Sequence, residues 1–72
     1  MTRLGEYLAR KSTNKAEVAR KTGLHKTRIN ELTNLERARL SAEELYLISL
    51  AIDVNPCELL SFVCEGVALK NE

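Results

Sequence analysis

Seventy-two residues carrying a net charge of +1 and only three aromatic side chains fit one small domain near the size limit of a self-supporting core, packed from Leu, Ile, Val and Ala. No run of about 18 apolar residues occurs, which excludes a membrane-spanning helix, and Met1-Thr2-Arg3-Leu4-Gly5-Glu6 lacks the apolar stretch of a secretory signal, so a soluble intracellular protein is expected. The charge is unevenly placed: ten basic against four acidic residues from Met1 to Arg39 give +6, whereas one against six from Leu40 onward gives −5, so a polyanion is drawn to the first half and repelled by the second.

In chain order, a first helix is predicted from Arg3 to Arg10 or Lys11, with Thr2 as its cap and Leu4, Tyr7 and Leu8 as its apolar side. Arg10 and Lys11 fall in its last turn, where cations favour the helix dipole. Asn14 caps a second helix and Glu17, three residues later, stands as the capping-box partner. Val18, Ala19 and Thr22 share one side, and Gly23 supplies the left-handed residue that ends it. Leu24 packs into the corner, and a third helix runs from Lys26 to Leu32. Its inward residues are Ile29 and Leu32; Lys26, Thr27, Arg28, Asn30 and Glu31 face outward, each with a donor or acceptor.

A small residue at Ala19, the corner at Gly23 and an apolar lock at Ile29 suit two helices crossing steeply through a short turn. With Asn14-Lys15-Ala16-Glu17-Val18-Ala19-Arg20-Lys21, then Gly23, Ile29 and Leu32, the stretch resembles the helix-turn-helix of the phage-repressor and Cro-like (XRE) DNA-binding family. The resemblance implies that the third helix enters the major groove of double-stranded DNA, with base-reading positions at Lys26, Thr27 and Glu31 and with Arg28 and Asn30 as neighbours able to read bases or hold phosphate. Phosphate contacts are expected from Asn14 and Lys15 at the start of the second helix, from His25 at the turn, and from Asn34, Arg37 and Arg39 in the following segment. Two positions depart from the family pattern: Lys15 stands where glutamine is common, and Leu35 where glycine is frequent.

Thr33 to Arg39 shows no periodicity and reads as a loop. A fourth helix is capped by Ser41 with Glu44 completing the capping box, and Leu40 and Leu45 form a hydrophobic staple. Leu45, Ile48, Ala51 and Ile52 face inward, while Tyr46, Leu47 and Leu50 extend the apolar surface so far round that burial on much of its circumference is expected. Asp53 takes a turn position that suits glycine. Asn55 caps a fifth helix with Pro56 first and Glu58 three after the cap, and Gly66 stops it. Leu59, Phe62 and Val63 on this helix, with Val67 and Leu69 beyond it, are the candidate dimer interface. Cys57 and Cys64 are expected as buried or half-buried free thiols; about 10 to 11 Å separates them along one helix, too far for an internal disulfide, and a bond across an oxidised dimer stays open.

No catalytic set emerges. The lone His25 lies at a turn, the serines lack a histidine and carboxylate around them, Glu43 and Glu44 point apart, and the glycines are isolated. Neither a metal site nor a cofactor is expected. The predicted architecture is all-α: one domain over 1–72, core about 2–65 and tail 66–72, folded as a compact five-helix bundle of the lambda-repressor-like type with helices two and three as the helix-turn-helix. The expected function is sequence-specific binding of double-stranded DNA as a transcriptional regulator. A homodimer would repress by blocking a promoter at a palindromic operator, in the bacterial cytoplasm or encoded by a phage. The alternative is a helical protein-interaction module such as an antitoxin or adaptor.

Overall fold

Each helix begins where the sequence supplies a side-chain acceptor for its first free amides. The computed structural model describes residues 1–70, in which α1 (Arg3–Arg10), α2 (Lys15–Thr22), α3 (Lys26–Asn34), α4 (Ala42–Ala51) and α5 (Pro56–Val63) follow one another. Thr2 Oγ1 accepts from the Gly5 amide at 3.0 Å, Asn14 Oδ1 from Ala16 at 2.8 Å, His25 Nδ1 from Thr27 at 3.1 Å and Asn55 Oδ1 from Cys57 at 2.8 Å. Ser41 and Glu44 exchange both bonds of a capping box, at 3.1 and 2.9 Å. The two other glutamates at box spacing are diverted. Glu17 takes a forked pair of hydrogen bonds from Arg20, at 3.0 and 2.9 Å, and Glu58 accepts from the Tyr7 hydroxyl at 3.2 Å. A guanidinium or a buried phenol is the better donor for a carboxylate than one more exposed amide.

The helices close into a ring: α1 packs on α3, α3 on α2, α2 on α4, α4 on α5, and α5 back on α1. Leu4, Tyr7 and Leu8 of α1, Val18 of α2, Ile29 and Leu32 of α3, Leu45 and Ile48 of α4 and Leu59 of α5 fill the centre. The α1–α5 seam is aromatic. Tyr7 meets Phe62 edge to face at 5.2 Å, and the guanidinium groups of Arg3 and Arg10 lie 4.0 and 5.2 Å from the centre of the Phe62 ring.

Three sequence expectations change here. The third helix does not stop at Leu32 but runs through Asn34, because Thr33 is fully buried and its hydroxyl donates to the Ile29 carbonyl at 2.9 Å. A polar residue read as loop is thus a satisfied core position. Helix α4 is not buried on most of its circumference: Tyr46 and Leu50 are each more than half exposed. Cys57 and Cys64 are both exposed, since the inward side of α5 is occupied by Leu59.

Asp53 sits at φ +58°, in the left-handed region, where a side chain is strained and glycine is not. Asp53→Gly is therefore expected to stabilise the fold by about 0.5 to 1 kcal/mol, net of the entropy that glycine adds to the unfolded chain. Thermal melts of the two proteins side by side check it, and a fall in Tm would show that the Asp53 side chain makes a compensating contact.

Candidate nucleic-acid interface

The start of α3 is set by three features of sequence. Gly23 ends α2 at φ +78° with its amide bonded to the Ala19 carbonyl at 3.0 Å, Leu24 packs against the core, and His25 caps the next helix. With Ile29 and Leu32 buried, the opposite side of the first two turns is held outward. Lys26, Thr27 and Asn30 are exposed there. His25 uses Nδ1 for the cap. Asn14 is exposed at the start of α2 with its side-chain Oδ1 occupied by two backbone amides, and Lys15 beside it is half-buried.

The far end of α3 is pinned from behind by α1. The Thr2 amide donates to the Thr33 carbonyl at 3.0 Å and the Thr2 hydroxyl to the Leu32 carbonyl at 2.7 Å. These bonds satisfy carbonyls that a helix end otherwise leaves free. Gly5 lies directly against that turn: a Cβ there would run into the Thr33 carbonyl oxygen. Nothing local in the sequence around Thr2 or Gly5 announces this latch, since its partners are some 30 residues away.

Arg28 is turned sideways. Its Nε donates to Glu44 Oε2 at 2.7 Å, its Nη2 donates to Glu44 Oε1 at 3.1 Å and to the Arg39 carbonyl at 2.8 Å, and Nη1 lies 3.6 Å from Glu31 Oε1. The backbones of α3 and α4 do not pack on each other, so this guanidinium spans the gap between them and fixes the 35–40 segment as well. Along its own helix Arg28 has only Glu31, three residues on, at pairing distance in sequence; the capping box at Ser41 is legible from local spacing, but the second use of Glu44 is not. Of the remaining candidates, Arg37 and Arg39 are exposed on the loop after α3, and Asn34 is exposed with its side-chain Nδ2 donating to the Asn30 backbone carbonyl at 3.0 Å.

The Arg28 hydrogen bonds, set against burial and aided by Ser41, hold the Glu44 carboxyl at about 2 instead of its ordinary 4.5. A carboxyl whose folded pKa is depressed contributes stability that is complete above the unfolded value and is lost as pH falls through the folded one. The loss therefore spans about pH 4.5 down to about 2. Urea midpoints measured at unit steps from pH 6 to pH 2 should fall less over that window for Glu44→Gln than for the parent; parallel curves would show that other carboxylates carry the acid limb.

The candidate dimer residues divide. Leu59 has no exposed surface, the Phe62 ring is covered by Arg3, Arg10 and Tyr7, and Val63 packs against the core; the inward side of α5 thus serves the protomer itself. Val67 and Leu69 are 78% and 96% exposed. No helix among the described residues is long and apolar enough to cross a membrane.

Sequence comparison adds one positive result: the sequence model of the Cro/C1-type HTH DNA-binding domain matches residues 3–65. No curated protein and no solved structure matches the chain.

Proposed function

Because the chain belongs to the Cro/C1-type HTH DNA-binding domain family, we propose that it is a sequence-specific regulator that reads the major groove with α3 and represses by occupying a promoter. The observation that carries this reading is the exposed set Lys26, Thr27 and Asn30 on a helix whose other side is buried, in the half of the chain with net charge +6. Lysine suits guanine O6 and N7, a threonine methyl suits thymine, and asparagine suits adenine. Arg37 and Arg39, with Asn14, Lys15, His25 and Asn34, hold phosphates on either side and set the register without reading sequence. Arg28 supports the reading surface from its edge and reaches a base only by loosening the Glu44 bridge, whereas Glu31, held by its ion pair with Arg28, reaches a base by giving up that pairing.

One helix reads few base pairs, so the protein acts as a two-fold dimer on an inverted repeat with half-sites about 34 to 36 Å apart. Selection from a pool of randomised duplex DNA, followed by titration at several salt concentrations, tests the whole reading. Recovery of an inverted repeat with a steep salt dependence and a large preference over scrambled duplex is the expected result. Equal weak affinity for every duplex would overturn it. A protein-interaction role is the second reading, favoured by the exposed Tyr46, Leu50 and Leu60.

A further inference from the structure

Helix α5 presents two unlike sides. Leu59, Phe62 and Val63 serve the core, whereas Cys57, Leu60, Ser61 and Cys64 are all exposed. Those four stand at i, i+3, i+4 and i+7, so they form one stripe along the helix. The Cys64 amide donates to the Leu60 carbonyl at 2.9 Å, which continues the helical path to the second thiol. Within one chain the two sulfurs cannot join, because seven residues of helix separate them by about 10 Å along the axis.

The stripe is complementary to itself when reversed. In an antiparallel pair whose two-fold axis passes midway between Leu60 and Ser61, each Cys57 lies opposite Cys64 of the partner subunit, and each Leu60 opposite Ser61 of the partner subunit. Leu60, half exposed in the single chain, gains cover, and the small Ser61 side chain lets the helices approach as closely as a disulfide's Cα separation of roughly 4.4 to 6.8 Å demands. A partner of different sequence would have to supply two thiols at the same spacing; a second copy does so by symmetry.

We infer that the Cys57–Cys64 face of α5 is where two copies of this chain meet, and that a low-molecular-weight disulfide makes that dimer covalent through two crossed Cys57–Cys64 bonds. The inference rests on the dimeric reading above and replaces the inward face of α5 with the outward one. For each bond, the Cys57 thiolate attacks oxidised glutathione, forming a mixed disulfide and expelling one glutathione thiolate. Cys64 of the partner subunit then attacks the Cys57 sulfur and expels the second, so one small disulfide is reduced to two thiols, which take up the two protons that the cysteines release. The covalent dimer no longer dissociates on dilution, which couples assembly to the thiol–disulfide balance around the protein.

Non-reducing gels and peptide mass mapping after incubation with oxidised glutathione test it, using the full chain, Cys57→Ser, Cys64→Ser and an equimolar mixture of the two variants. The unchanged protein should convert to a dithiothreitol-sensitive dimer carrying Cys57–Cys64 links. Each variant alone should form at least tenfold less, and the mixture should regain a dimer containing one copy of each. Self-linking of either single variant to the extent of the unchanged protein, or no recovery in the mixture, would overturn the crossed arrangement. Sedimentation of the reduced protein on its selected duplex separates the two failures. A dimer on DNA without the crossed link removes only this face, and a monomer on DNA without the link removes the dimeric reading as well.

Discussion

Gly5→Ala is expected to destabilise the domain by about 2 kcal/mol and to lower Tm by about 8 to 16 °C for a chain of this size. Helix propensity alone gives the opposite sign, since alanine is favoured over glycine in a helix interior by about 1 kcal/mol. Geometry decides. The added Cβ would strike the Thr33 carbonyl oxygen and come within 2.6 Å of Met1 Cγ. The methionine can swing away, but the carbonyl is backbone and accepts the Thr2 amide, so relief requires α1 to move off α3 and break the latch that satisfies the end of α3. Gly23→Ala is the internal control. That residue has a left-handed φ but nothing within 4 Å of a new Cβ, so its cost is conformational alone, about 1 kcal/mol. Urea titrations of the three proteins measure both; a Gly5→Ala protein as stable as the parent would mean that α1 is free to slide, and the pinning of α3 from behind would have to be abandoned.

The difference between these two glycines also marks what the sequence could and could not reveal. Gly23 was legible because its signal is local: a capped, periodic helix before it and another after it. Thr2, Ser41 and Asn55 were legible for the same reason, as were the apolar residues that recur at helical spacing. Gly5 looked like an isolated glycine because the atom it must avoid belongs to a residue 28 positions away. Local spacing reveals the capping role of Glu44, whose partner is three residues off, and not its bond to Arg28, which is 16 off. Thr33 reads as loop because a buried hydroxyl bonded to its own helix leaves no polar or apolar pattern in the sequence. At α5, periodicity finds the apolar residues but does not say that the chain itself uses Leu59, Phe62 and Val63 and leaves Leu60 exposed. The elements were therefore visible in local spacing, whereas the ties between elements, which fix where α3 points, were not.

Those ties decide how the proposed DNA-reading surface should be tested. Lys26→Ala with Asn30→Ala is expected to cost about 2 to 6 kcal/mol of discrimination against scrambled duplex, about 30-fold or more in relative affinity. Both side chains are exposed and Ile29 and Leu32 remain to hold α3, so stability should stay within about 0.5 kcal/mol of the parent. Arg28 lacks that separation. Removing it leaves Glu44, only 13% exposed at its side chain, without its guanidinium, and frees the Arg39 carbonyl; with the pair partly screened by solvent, a loss of about 1 to 2 kcal/mol of folding stability is expected alongside any loss of binding. An Arg28→Ala protein that binds poorly thus says little about base contact, because its α3 has lost its brace to α4. The informative comparison is affinity for the selected and scrambled duplexes at one salt concentration, with melting curves for every variant. Lost preference with an unchanged melt in the Lys26, Asn30 double variant assigns the reading to α3. An unchanged preference with an unchanged melt removes α3 as the reader and leaves the exposed apolar faces of α4 and α5 as the surfaces on which to seek a protein partner.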